Sequence, residues 1–273
     1  MSDLHVERWG EGARVVLVHG SISTGVECWQ QQRPLAQAGF ELVVWDRRGY
    51  GGSPGGIGED YRQDGRDAAR LLGDGAHLVG HSYGGLGAVF AAAQEPQRVR
   101  SLTLVEPPAF AVCRDAPVVA SFVRALRDLG ARRDLADRAF VEAFLRIVGV
   151  APGEVPAAML EHLAGRVGPL RHGRPSWEAE LPLDAIGAAP FATLVVSGAH
   201  HAAFDAVCDE LTQRLGADRA VIAGAGHEVQ MTGRPFNDTL LSFWRRATPA
   251  DDPHRPPDLQ RSPHRHRSAV RAR

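Results

Sequence analysis

The chain contains no lysine; all 31 of its Lys/Arg positions are arginine. That absence removes a Schiff-base lysine, a P-loop lysine and a serine–lysine dyad together. Cysteine is nearly as scarce. Cys28, Cys113 and Cys208 are scattered and odd in number, so they make neither a disulfide framework nor a metal knuckle, and they point to a reducing, cytoplasmic setting. No apolar run approaches the roughly 18 residues of a membrane span, and the opening MSDLHVERWGEG lacks the apolar centre of a signal peptide. Excess charge is missing too. A formal net charge of -1 argues against nucleic acid or an anionic membrane held by bulk electrostatics. No internal repeat is visible.

What remains is the composition of a globular protein, 273 residues long and 44% hydrophobic, enough for one large domain with a sizeable core. Six short apolar runs recur along it: Val15–Val18, Leu42–Trp45, His77–Val79, Leu102–Val105, Thr193–Val196 and Ala220–Ile222. They are continuous rather than alternating, as in strands covered on both faces. Helical patterns lie between them at Trp29–Ala38, Tyr61–Leu72, Leu86–Gln94, Phe204–Leu215 and Phe236–Arg246. Strand, turn and helix in repetition specify an α/β protein with a mostly parallel sheet flanked by helices.

The rhythm breaks between Val105 and Thr193. Val118–Leu129, Leu135–Val148 and Ala157–Ala164 read as amphipathic helices divided by Gly and Pro, a helical lid inserted between late strands. The expected division is a core of residues 1–108 and 190–247, a cap or lid of 109–189, and a disordered tail of 248–273, rich in Pro and Arg. The tail's His264 and His266 lack a fixed partner for metal capture.

Chemistry concentrates at Gly80-His81-Ser82-Tyr83-Gly84, a G-x-S-x-G pattern directly after one apolar run and just before a helical one. A serine squeezed between strand and helix is thrust out at the sheet's edge, and the flanking glycines let backbone approach it. Its hydroxyl needs a base. Of 12 histidines, His227 in Gly224-Ala225-Gly226-His227 follows the last strand and is placed to overhang Ser82. His81 and His19 are expected to be structural. The amides of Ser21, after Val18-His19-Gly20, and of Tyr83 are the expected oxyanion donors. Asp46 and Arg48 read as a structural ion pair or turn anchor. The neighbours His200 and His201 have no evident third metal ligand.

Val15–Gly20, the Asp46–Ser53 turn, the Gly80–Gly84 elbow and Gly226-His227 occur in an order that resembles the α/β-hydrolase superfamily, over roughly residues 10–110 and 190–246. The resemblance implies a cofactor-independent, metal-free serine hydrolase acting through a Ser–His–acid triad and an acyl-enzyme. Its substrate would be a small, largely apolar ester, thioester or lactone. A perhydrolase or C–C-cleaving reaction on the same fold, or a non-catalytic small-ligand binder, are the alternatives. Ser82 at the nucleophile position argues against the dehalogenase and epoxide-opening branches, which use Asp. The departure from the family pattern is the acid. His201 stands where an Asp is expected, in Ser197-Gly198-Ala199-His200-His201. Two carboxylates are available: Glu106, at a neighbouring strand's end, and Asp205, at a helix start where a dipole role would also explain it.

Overall fold

The computed structural model describes residues 4–248, apart from 57, 151, 152 and 154; the expected tail therefore lies outside the described residues, save Thr248. The strands are β1 (Val6–Trp9), β2 (Ala13–Val18), β3 (Phe40–Trp45), β4 (Ala76–His81), β5 (Val99–Val105), β6 (Ala192–Ser197) and β7 (Asp218–Val221). They form one seven-stranded sheet in the order β1-β3-β2-β4-β5-β6-β7. Only β1 runs antiparallel, against β3. The central strands are buried along nearly their whole length, which explains their unbroken apolar character.

The helices are α1 (Gly25–Trp29), α2 (Tyr61–Leu71), α3 (Tyr83–Gln94), α4 (Pro117–Ala131), α5 (Asp137–Ile147), α6 (Ala157–Ala164), α7 (Gly168–His172), α8 (Leu183–Gly187), α9 (Ala202–Leu215) and α10 (Arg234–Ala247). One apolar cluster joins α2, α3 and α9 to one face of the sheet; another joins α1 and α10 to the opposite face. The predicted helix over Trp29–Ala38 is instead α1 followed by a 3₁₀ stretch, Gln30–Ala38, containing Pro34. Proline supplies no N–H for an α-helical ladder, and the tighter turn tolerates it.

Helices α4 to α8 occupy the predicted insertion between β5 and β6. Phe122 and Val148 join the main core, whereas Leu129, Phe140, Val141 and Val167 form a smaller cluster with Ile22, which follows β2. Polar ties reinforce this contact: Glu27 meets His162 and Arg166, and the Tyr83 hydroxyl donates to the Arg174 carbonyl at 2.9 Å. No described helix is long and apolar enough to cross a membrane.

Among the described residues, the non-glycine positions with positive φ are Ile22, Ser82, Glu106 and Ala199. They follow the C-terminal ends of β2, β4, β5 and β6 in turn. Backbone strain is thus gathered along one edge of the sheet, the edge where ligands bind in open parallel sheets.

Candidate active site

Ser82 stands between β4 and α3 with φ 50° and ψ -129°. Its amide donates to the Val105 carbonyl at 2.9 Å, and Gly85 N–H donates back to the Ser82 carbonyl at 2.8 Å. The elbow is crowded: a Cβ on Gly80 would lie 2.7 Å from the Gly84 carbonyl oxygen and from Gly85 Cα. Only glycine permits that approach.

His227, in the segment after β7, brings Nε2 to 3.0 Å from Ser82 Oγ. Its Nδ1 lies 3.5 Å from Oε2 of Glu106, whose side chain is fully buried. Oε1 of the same carboxylate accepts the Gly198 amide at 2.6 Å. Burial alone would raise the Glu106 pKa, but His200, His227 and the Gly198 amide together hold it down to about 2. Three residues that are remote in sequence therefore form a continuous line of hydroxyl, imidazole and ionised carboxylate.

Asp205 is engaged elsewhere. It accepts the Ser197 hydroxyl at 2.9 Å and faces Arg219 at 3.8 Å, in the first turn of α9. His201 caps that helix, with Nδ1 accepting the Ala203 amide at 3.1 Å. His200 turns instead toward Glu106, its Nδ1 at 3.5 Å from Oε2. Of the two carboxylates considered, Glu106 alone faces His227.

The turn after β2 sits directly against the elbow. A Cβ on Gly20 would come within 3.1 Å of Ser82 Cβ and 2.9 Å of His81 Nδ1. Ser21 follows Gly20, and Tyr83 opens α3, where backbone amides have no intrahelical partner. His19 is a supporting residue: Nδ1 donates to the Gly20 carbonyl at 2.7 Å, and Nε2 accepts the Arg47 amide at 2.8 Å. Burial and nearby Arg47 push its pKa well down, which suits the neutral tautomer those two bonds require. His81 donates from Nε2 to the His227 carbonyl at 3.1 Å. It steadies the loop carrying His227.

Asp46 and Arg48 do not pair with one another. Asp46 anchors its turn by accepting the Gly25 and Gly52 amides, while Arg48 pairs with Asp67. Between them, Arg47 gave no sequence signal, yet its side chain is 1% exposed. It donates to Glu59 at 2.5 Å, Asp64 at 2.8 Å and the Gly20 carbonyl at 3.1 Å. Glu59 also accepts from Tyr50 and from Ser21 Oγ. A buried ionic cluster thus pins the Gly20–Ser21 turn from beneath. Phe204, equally unsignalled, packs its ring 4.7 Å from that of His227 and 5.5 Å from that of His200.

A cavity of about 250 Å³ lies beside the elbow, between Glu59 and Tyr83 and the inserted helices, whose Leu126, Phe140, Phe144 and Trp177 border it together with Arg127, Arg133, Arg171 and Arg174. Spacing alone would admit a cation at Cys28/His81/Glu228 or at Glu106/His200/His227. Both groups are built from residues already engaged around the elbow.

The profile of the family described as alpha/beta hydrolase fold matches residues 13–145. The lipase LipV of Mycobacterium tuberculosis is 31% identical over 236 residues, spanning 79% of this chain and 87% of its own. The pimeloyl-[acyl-carrier protein] methyl ester esterase of Aeromonas salmonicida is 32% identical over 182 residues, 65% of either chain. Among solved structures, an alpha/beta hydrolase from Sphaerobacter thermophilus aligns with a TM-score of 0.66 at 26% identity, covering 88% of this chain and 95% of that one. Est816, titled an N-acyl homoserine lactone degrading enzyme, aligns at 0.69 and 23% identity over 89% of this chain and 97% of its own, a likeness of fold. The chain belongs to the α/β-hydrolase family and is a hydrolase of that fold.

Proposed function

We propose that the protein is a serine hydrolase that cleaves a small or medium, largely apolar ester, thioester or lactone through an acyl-enzyme. The observation that carries this reading is the 3.0 Å approach of His227 Nε2 to Ser82 Oγ, within the range for proton transfer between a nucleophile and its base. Ser82 Oγ attacks the carbonyl carbon while His227 Nε2 takes the hydroxyl proton. Glu106 holds the imidazole's orientation and stabilises its cation. The amides of Ser21 and Tyr83 receive the developing oxyanion, with the N-terminus of α3 behind it. His227 then returns the proton to the leaving alcohol or thiol. Water repeats the sequence in reverse, restoring the Ser82 hydroxyl and releasing the acid.

The apolar wall of Leu126, Phe140 and Phe144 suits an acyl chain, and residues 109–189 act in this reading as the cap enclosing it. The names of the relatives, a lipase and a methyl ester esterase, favour the same bond type. The test is kinetic. Ser82→Ala, shown folded by circular dichroism, should lose about three orders of magnitude or more of p-nitrophenyl ester turnover, and a fluorophosphonate should label the parent at Ser82. Wild-type turnover in that variant would remove the acyl-enzyme.

A further inference from the structure

His200 lies in the β6–α9 connection, where the family pattern led us to expect the acid close by. Its Nε2 is 3.1 Å from the Val148 carbonyl. A carbonyl oxygen only accepts, so Nε2 carries a hydrogen. In a neutral ring Nδ1 would then present a lone pair to Oε2 of Glu106 at 3.5 Å, two electron-rich atoms facing each other in a buried site. Glu106 Oε2, His200 Nδ1 and His227 Nδ1 are all buried with no hydrogen-bond partner of good geometry. A proton on each Nδ1 turns both contacts from repulsive to attractive, two positive edges facing a single carboxylate oxygen. The packing holds the ring in place. The His200 side chain is only 11% exposed, the Phe204 ring lies tilted against it, and a Cβ on Gly149 would come within 3.0 Å of its Cδ2.

We propose that His200 is a positioning residue for the hydrolytic site: an imidazolium, held between the Val148 carbonyl and the Glu106 carboxylate, that shares this carboxylate with His227 and so sets how strongly the carboxylate supports His227 during the reaction. The claim rests on Ser82, His227 and Glu106 being the reacting set. The groups facing His200 are Glu106 at the end of β5, His227 after β7, His201 and Asp205 at the start of α9, and the Val148 carbonyl at the end of α5. Burial opposes a charge here, yet Glu106 and the Val148 carbonyl outweigh it and raise the pKa of His200. His201, beside it, is lowered by burial and then by His200 itself, so the positive charge belongs on His200. A cation on the far side of the carboxylate cancels part of the field that Glu106 exerts on His227. The support that Glu106 gives to positive charge developing on His227 during the reaction is then weaker. The hydrogen bond to Val148 also ties this charge to the inserted helices.

Two measurements test the proposal. In the wild-type protein, ¹⁵N spectra of the histidine rings should show His200 protonated on both nitrogens at pH 7, and Glu106→Gln should abolish that signature. In His200→Gln, the acid limb of kcat/KM on p-nitrophenyl butyrate should move up by about half a pH unit or more. A folded His200→Gln whose profile superimposes on wild type would overturn the proposal, as would a neutral His200 at pH 7. So would one equivalent of a transition metal in the purified protein whose removal by chelator frees both histidines. If His200→Gln does not fold, the wild-type spectra decide the matter. Those spectra report the charge whether or not any ester is turned over, so a failure of the hydrolase reading remains distinct from a failure of this one.

Discussion

Glu106 faces two imidazoles at 3.5 Å and accepts one backbone amide, all on the same carboxylate. Deleting its charge should therefore do far more than deleting that of Asp205, whose partners are Ser197 and Arg219. Glu106→Gln is expected to lower kcat/KM by about 10²-fold or more, and Asp205→Asn by only a few-fold, in parallel esterase assays. The sign of the acid dependence follows from the depressed pKa of Glu106, about 2 when folded. A carboxylate depressed in the native state contributes stability above its unfolded pKa, and that contribution fades as pH falls through the native value. Glu106 should therefore leave stability untouched above about pH 5 and withdraw support between roughly pH 4.5 and pH 2. Denaturant titrations of wild type and Glu106→Gln should converge across that window.

The ends of the strands carry the site, and the turns after them are where sequence and structure part company. The six apolar runs mark β2 to β7; burial on both faces leaves the unbroken signal in β2 to β6, whereas β7 is a part-exposed edge strand. Strand β1, Val6–Trp9, escapes notice because it is a short edge strand of mixed burial and VERW has no apolar run. The start of α3 at Tyr83 is hidden by Gly84 and Gly85, poor helix formers whose presence answers to close packing rather than propensity. Ser82, His227 and Glu106 are legible because each sits beside a strand end. Arg47 and His200 are not, since their meaning comes from partners that only the folded chain brings near. Arg47→Ala would leave Glu59 and Asp64 buried without their cation, a loss of about 3–5 kcal/mol. That corresponds to a fall of roughly 10 °C in Tm by calorimetry. Gly80→Ala would force the elbow apart, and activity should vanish even in whatever fraction stays soluble.

Across the whole molecule, the inserted helices are fastened to the sheet's edge by Tyr83–Arg174, by Glu27 with His162 and Arg166, and by Ile22 in their small apolar cluster. The cavity between the two parts should measure the acyl group. Leu126→Trp, which narrows it, is expected to spare acetate esters and cut kcat/KM for octanoate esters by about tenfold or more, read from a chain-length series. Of the apolar residues on these helices, Phe122 and Val148 serve the core, while Leu126, Phe140 and Phe144 border the cavity. An amphipathic pattern reports burial and says nothing of what lies opposite.

The four left-handed residues at Ile22, Ser82, Glu106 and Ala199 make heat tolerance and turnover competing demands on the same margin of the sheet. Ala199 has no role in the proposed chemistry. Ala199→Gly would relax a disfavoured backbone angle and should raise the melting point by a degree or two, whereas relaxing Ser82 or Glu106 would blunt the chemistry. Anyone hardening this protein for use at high temperature should begin at Ala199 and leave Ser82 and Glu106 untouched.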